Sequence, residues 1–386
     1  MYTVRPMRRT RPQIALDCRY LGSRPSGIGE AVAALVRYLP DLAPDCNFLF
    51  LRHPHRAAPL STAPNVREVV VHAAANGPVT LAHLPLAVDL TGVDLFHAPA
   101  NILPGGLTMP AITTVHDVMW LTHPKWCNPG PWGRIERAYY QHGITRALRQ
   151  SALTATVSEA TRSAIRTILP EMTNRVHVTL SGVAEDFAAV PRDDTVLTSL
   201  GIPAGRRYCL VVGQGAPYKN HEGALRAFAE AFGADGPLDL VLVRRRTNTG
   251  QQLERLACTL GVAERVRFVE QVERKTLVQL YSAAAMLLHP SLAEGFGNPV
   301  AEAMACGCPV ITSNCSAMPE VAGGAALLVD PRDTGQIAAA VRRVAQDRGL
   351  AANLRARGLA RAAALDWRAF AAANLTLYRR VLSGSV

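Results

Sequence analysis

Glu294-Gly-Phe-Gly-Asn-Pro-Val-Ala-Glu302, running on through Ala303-Met-Ala-Cys306-Gly-Cys-Pro309 to Val310 and Ile311, is the stretch that decides how this chain folds. It sets carboxylates at 294 and 302 on either side of a Gly-rich turn that opens a helix. Asn298 suits the cap of that helix and Pro299 its first position. The free amides of the turn and the positive helix end make an anion seat. A carboxylate on each flank accepts hydrogen bonds from hydroxyls. Phosphate in the middle with hydroxyls at both ends describes a nucleotide sugar. Either Glu alone reads as a solvated residue at a helix start. The whole pattern, with Cys306-Gly-Cys-Pro309 closing the helix and an apolar strand after it, reads as a site.

Outward from this stretch, short apolar strands alternate with amphipathic helices, the pattern of parallel sheets covered by helices. Strands are expected at residues 14–18, 47–51, 66–71, 95–98, 111–115, 153–157 and 176–180, with helices over 28–38 and 134–150 and another from Ser158. Residues 183–203 break the periodicity with Pro191, Arg192, Asp193, Asp194 and Pro203. A second series then begins. Its strands are at 208–212, 238–243, 266–269, 286–289, 309–312 and 326–329, and its helices at 221–232, 251–261, 275–284 and 334–347. A last amphipathic helix spans 367–382. The expected organisation is a basic tail (1–11), an N-terminal Rossmann-like domain (12–185), a linker (186–205), a C-terminal Rossmann-like domain (206–365) and a terminal helix (366–386). The chain shows no solenoid repeat.

Composition narrows the function. The 386 residues are 49% apolar, enough for two cores, and carry a net charge of +11. Arg5, Arg8, Arg9 and Arg11 concentrate part of that charge in the tail, and the rest is spread without a dense basic stripe. Such a distribution suits a small anion or loose contact with acidic lipid better than nucleic acid. No apolar run reaches the roughly eighteen residues of a membrane span, and the charged N-terminus lacks the apolar segment of a secretory signal. The expected place is the cytoplasm, with peripheral contact at the inner face of the cytoplasmic membrane as the further reading of the tail. Eight cysteines and eleven histidines show no zinc spacing, and no Asp-x-Asp pair offers a diphosphate–metal handle, so no metal and no cofactor are expected.

The quoted stretch resembles the Glu-x7-Glu signature of the retaining glycosyltransferases of family 4, which have the two-domain GT-B fold. The resemblance runs over residues 14–382, with matched segments in the family's order. It implies two doubly wound parallel-sheet domains facing a cleft, with the last helix crossing back to the first domain. In such folds ligands sit beyond the carboxyl ends of the strands. The resemblance also implies residue roles. Glu294 binds sugar hydroxyls of the donor. The backbone of Gly295, Phe296, Gly297 and Asn298 faces the diphosphate. Glu302 holds the ribose. Val272 falls where the family contacts the nucleobase, a packing role being the plain alternative. Gly27 and Gly29 match a Gly-rich loop at the donor–acceptor junction, whose spacing is not that of a dinucleotide fingerprint. His116, ending an apolar strand, matches a His that contacts the donor hexose, and Asp117 either orients it or caps the loop. Lys219 matches a Lys that neutralises the diphosphate as its charge grows. Gln214 stands where many members carry an Arg, so one positive charge is missing. Arg244-Arg-Arg246 occupies a place where the family usually has glycines, and one of these arginines reaching the diphosphate is weighed against a solvated basic loop.

The implied reaction is transfer of a hexosyl group from a nucleotide sugar to an acceptor hydroxyl with retention, by a same-face displacement in which His116, Lys219 and Glu294 form the catalytic set. The Lys219-Asn220 pair after a Pro resembles a branch rich in mannosyltransferases, so GDP-mannose is the first donor expected and a UDP-hexose the second. The expected acceptor is a glycan or a polyprenol-diphosphate-linked oligosaccharide in bacterial polysaccharide synthesis. Arg134, Arg137, Arg146 and Arg149, on a long helix beside the Trp120–Trp132 loop, suit an anionic membrane. Competing readings are a phosphorylase on the same fold, which would need a second phosphate site, and a catalytically silent sugar-nucleotide sensor.

Overall fold

The computed structural model describes residues 11–22, 26–56, 58–128, 130, 132–244 and 250–385. The tail of residues 1–10, three residues of the Gly22–Gly29 loop (23–25), and Arg245 and Arg246 lie outside that set.

Two wholly parallel sheets are formed. The first orders its strands β3-β2-β1-β4-β5-β6-β7, from β1 (Gln13–Asp17), β2 (Asn47–Arg52), β3 (Val66–Val70), β4 (Leu95–Ala98), β5 (Ala111–Val115), β6 (Leu153–Thr156) and β7 (Val176–Val178). The second orders β10-β9-β8-β11-β12-β13, from β8 (Tyr208–Val212), β9 (Asp239–Arg244), β10 (Val266–Glu270), β11 (Met286–His289), β12 (Val310–Ser313) and β13 (Leu327–Val329). The central strands are buried on both faces, which is why they read as unbroken apolar runs. Each sheet reverses its winding once, between β1 and β4 and between β8 and β11. Those reversals open crevices at the carboxyl ends of the strands, and the two crevices face each other.

The last helix, Trp367–Leu382, crosses back and packs on helix Gly27–Leu42 and on β4 and β6 of the first sheet. Phe370, Ala371, Leu375, Tyr378 and Val381 share one apolar cluster with Ile14, Leu16 and Leu35. Tyr378 is fixed through its hydroxyl, which lies 2.6 Å from His97 Nδ1, and His97 Nε2 lies 2.8 Å from Thr114 Oγ1. Where the chain passes between lobes the two crossings run side by side: Val183 N–H donates to the Leu365 carbonyl at 3.0 Å.

The segment expected as a linker, residues 186–205, holds a short helix and buried apolar residues. Asp193 caps a short helix, Asp194–Ser199, by accepting from the amides of Thr195 and Val196. Phe187, Leu197 and Ile202 are buried in the second lobe's core, and Ser282 and Gln279 stitch the segment to helix Arg274–Ala283. The prolines and charges that break the periodicity sit between these anchors. Helix Arg348–Ala363 was not expected either; it presents Gly358 and Ala362 to the helix of the quoted stretch, Asn298–Ala305, and Leu354 to the cluster on the other face of the sheet.

Candidate functional site

The turn after β11 organises the cleft. Gly297 has φ +104°, in the left-handed region, and caps helix Asn298–Ala305. Asn298 is therefore the first helical residue and not the cap, and Pro299 follows it in the first turn. The geometry needs glycine because an L side chain at 297 would be strained. Gly295 is demanded by crowding: a Cβ there would lie 2.0 Å from the His116 carbonyl oxygen of the other lobe. The lobes meet at this point. Ser158 Oγ donates to the Gly295 carbonyl at 2.6 Å, and Glu320 accepts the Glu159 amide at 2.8 Å. Among the described residues the amides of Phe296, Gly297 and Asn298 donate to no protein group, as first-turn amides do.

Glu294 is 8% exposed and its Oε1 accepts from Lys219 Nζ at 2.6 Å, Ser291 Oγ at 2.8 Å and His289 Nε2 at 3.1 Å. Burial opposes its ionisation, but the Lys219 charge and the His289 hydrogen bond outweigh burial and push its pKa down to about 2. Lys219 moves the other way: burial lowers its pKa and the adjacent Glu294 more than restores it. The pair is thus ionised. Lys219 ends the turn Pro217–Lys219, and Asn220 follows in the left-handed conformation. The Asn220 side-chain amide donates to the carbonyls of Pro290 at 3.1 Å and Pro331 at 2.7 Å, tying the loop after β8 to the loops after β11 and β13. Asn220 thus anchors the loop that carries Lys219.

Glu302 accepts from the Tyr281 hydroxyl at 2.8 Å. Loss of hydration raises its pKa to about 7, against the lowering effects of Tyr281 and Arg274. Beside it Arg274 reaches Asp186 at 2.9 Å and, across the cleft, Glu30 on helix Gly27–Leu42. In the first lobe, His116 Nε2 lies 2.9 Å from the Pro99 carbonyl, and its own amide donates to Asn101 Oδ1 at 2.7 Å. A carbonyl only accepts, so Nε2 carries the proton and Nδ1 is the ring's acceptor. Loss of hydration lowers the His116 pKa, keeping it neutral. Asp117 accepts the Met119 amide at 3.0 Å; it caps the following turn and does not orient His116.

These groups line one cavity of about 540 Å³ between the lobes. Its walls hold Gly27, His116, Gln214, Lys219, Arg244, Val272, Glu294, Gly295, Phe296, Gly297, Asn298 and Glu302. Gly27 faces Asn298, whose Nδ2 would lie 2.8 Å from a Cβ at 27. Gly29 is the expected site residue that the cavity leaves out; its amide donates to Ser26 Oγ within the first turn of its helix. Gln214 donates to the Tyr218 hydroxyl at 2.8 Å. Arg244 is buried at the end of β9, over the Phe268 ring and 3.5 Å from Glu254. His289, Ser291, Tyr281, Arg274 and Glu30 escaped sequence reasoning. His289 alone carried a signal, since it ends a strand as His116 does. No group of three or more His, Cys, Asp or Glu is placed to hold a metal ion among the described residues.

The sequence pattern of the family "Glycosyl transferases group 1" matches residues 193–361. The O-antigen chain mannosyltransferase B of Escherichia coli is 31% identical over 296 residues, covering 74% of each chain. Among solved structures, the sucrose-phosphate synthase of Thermosynechococcus elongatus superposes with TM-score 0.71 at 22% identity, over 97% of this chain and all of that one. The Anabaena HepE protein in complex with UDP and glucose gives TM-score 0.69 at 17% identity, over 97% and 100%. The 31% identity over 74% of each chain gives the family, and the paired parallel sheets agree with the fold: the chain belongs to the group 1 glycosyltransferases of GT-B fold, in a branch that resembles mannosyltransferases.

Proposed function

We propose that this glycosyltransferase moves a hexosyl group, with retention of configuration, from a nucleotide sugar to a glycan or a polyprenol-diphosphate-linked oligosaccharide in bacterial polysaccharide synthesis. GDP-mannose is the donor favoured, on the similarity to an O-antigen mannosyltransferase. One observation carries the reading: the buried, ionised Lys219–Glu294 pair on the cleft floor, beside partnerless amides at a helix start. Lys219 and those amides take the diphosphate, whose charge grows as the bond to the sugar breaks. Glu294, an acceptor only, takes hydroxyls of the sugar, and His116 Nδ1 accepts another. Glu302 takes the ribose hydroxyls. The leaving phosphate accepts the proton of the acceptor hydroxyl on the same face. Closure of the lobes about the paired crossings excludes water and aligns the acceptor. Positive charge comes from Lys219, Arg244 and the helix end, so the reading calls for no metal. Arg244 supports it with Nε and Nη1, which have no partner among the described residues.

Peripheral membrane contact is part of the proposal. Trp132 and Ile135 are 70% and 62% exposed beside exposed Arg134 and Arg137 at the start of helix Gly133–Gln150. Arg146 is not available to a membrane; it turns inward to the Leu81 and Leu103 carbonyls, and Arg149 lies 3.7 Å from Glu171. Among the described residues no helix is long and apolar enough to cross a membrane. A UDP-hexose as donor is the second reading, supported by a structural neighbour solved with UDP and glucose. A thermal-shift panel of GDP, UDP, ADP and dTDP sugars decides between them. GDP-mannose is expected to give the largest rise in melting temperature; a panel in which no nucleotide sugar stabilises the chain overturns the proposal.

A further inference from the structure

Two neighbouring side chains beneath the cleft carry buried nitrogens without hydrogen-bond partners among the described residues. His221, the first residue of helix His221–Phe232, is 6% exposed, and neither Nδ1 nor Nε2 has a hydrogen-bond partner among the described residues. Arg244, the last residue of β9, is also 6% exposed, with Nε and Nη1 unpartnered. Gly213 joins them. Its amide donates to the Val243 carbonyl at 3.1 Å, which pins the end of β8 to the end of β9. A Cβ at 213 would lie 3.4 Å from His221 Nε2 and 3.3 Å from Lys219 Cδ. Gly213, Lys219 and Arg244 all line the cavity, so the His221 ring abuts the wall where that wall is the bare glycine, at the positive end of a helix.

Buried polar atoms without partners are destabilising, and native chains keep few of them without a use. Here four such nitrogens, two on His221 and two on Arg244, belong to neighbouring side chains on one side of the floor, and the Arg244 guanidinium favours an anion. The charge budget of the cleft explains the need. Lys219 shares its charge with Glu294 at 2.6 Å, and Gln214 brings none.

We propose that His221 is a diphosphate-binding residue of this enzyme: a ring N–H beside Gly213 and the Arg244 guanidinium hydrogen-bond the phosphate oxygens of the donor, supplying what Gln214 cannot. The inference rests on the nucleotide-sugar reading above. The ionisable groups around the ring are Lys219 before its helix, His289 on β11, Arg244 on β9 and Glu294 in the turn after β11. Burial and then Lys219 push the His221 pKa down to about 3, so the ring is neutral in the free protein. A diphosphate beside it adds negative charge and draws the pKa upward.

The test uses the intact protein labelled with ¹⁵N-histidine, titrated with GDP and UDP and separately with guanosine and uridine. Binding is followed by melting temperature and the imidazole nitrogens by NMR. The expected result is that a nucleoside diphosphate shifts the His221 ring resonances and raises its titration midpoint, while the nucleosides leave both in place. His221→Phe is expected to weaken the diphosphate about tenfold to a hundredfold, the range of a hydrogen bond to a charged group, with nucleoside affinity unchanged; His221→Gln, which keeps a donor, recovers most of the loss. A nucleoside diphosphate that raises the melting temperature without moving the His221 ring overturns this inference and leaves the function standing. So does a Phe variant that loses nucleoside and diphosphate affinity alike. If no nucleoside diphosphate binds the wild type, the inference falls together with the reading beneath it.

Discussion

Replacing Lys219 with Met removes the cation from the cleft floor while keeping most of its side-chain volume. Lys219 Nζ and Glu294 Oε1 are 2.6 Å apart and their side chains are 10% and 8% exposed. At an effective dielectric of about 20, charges at that separation attract by about 6 kcal/mol before desolvation. Removing desolvation from the gain leaves an intact pair worth little, but an orphaned buried carboxylate costs about 3–5 kcal/mol. Lys219→Met alone is therefore expected to lower the melting temperature sharply at pH 7. The sign with pH follows from Glu294. Its folded pKa is depressed to about 2, so the pair's contribution is present above the ordinary carboxylate range and fades as pH falls toward that value. The stability gap between wild type and Lys219→Met should narrow in acid. Lys219→Met/Glu294→Gln, in which both charges are gone, should recover most of the stability at pH 7. It should recover none of the turnover, because loss of a preorganised charge at the leaving group costs about 10²–10³ in rate. Thermal unfolding and release of nucleoside diphosphate from donor are the two assays. A double variant no more stable than the single one refutes the energetic argument; a single variant with near wild-type turnover refutes the chemical one.

Donor affinity should rise as pH increases through about 7, because Glu302 must ionise to accept ribose hydroxyls; Glu302→Gln flattens that profile, and Tyr281→Phe, which removes a bond favouring the carboxylate, moves it to higher pH. Gly295→Ala drives a Cβ against the His116 carbonyl, so turnover should collapse while each lobe keeps its fold, readable as an enlarged radius by X-ray scattering with unchanged circular dichroism. Tyr378→Phe leaves His97 Nδ1 buried without its partner and should cost about 1–3 kcal/mol of unfolding free energy. On the proposal that side chains and amides hold the diphosphate, turnover should be unchanged by a chelator such as EDTA; loss of activity restored by a divalent cation would contradict this.

Much of the cleft was legible because strand ends were. His116, Lys219, Arg244, Val272 and Glu294 each follow or end an apolar run, and in a parallel sheet the carboxyl ends of such runs share one edge. What pairs with them was not legible. Tyr281 serves Glu302 and Ser158 serves Gly295 across stretches of chain that no local pattern links. Gly29 matched a Gly-rich loop of the family by resemblance, yet its amide serves its own helix turn. The short helix Asp194–Ser199 is too brief to show a period and holds through Leu197 and its cap. Helix Arg348–Ala363 is Arg- and Ala-rich and buries only Leu354, Gly358 and Ala362, so its apolar stripe is thin.

Calorimetric titration of the wild type and Lys219→Met with GDP-mannose, GDP and guanosine puts the grip on the diphosphate to the proof. The wild type should bind the two diphosphates far more tightly than the nucleoside, and Lys219→Met should reduce both toward guanosine's level. Equal binding of GDP and guanosine by the wild type, or GDP binding that survives Lys219→Met undiminished, would show that the lysine and its acidic partner do not hold a nucleotide sugar.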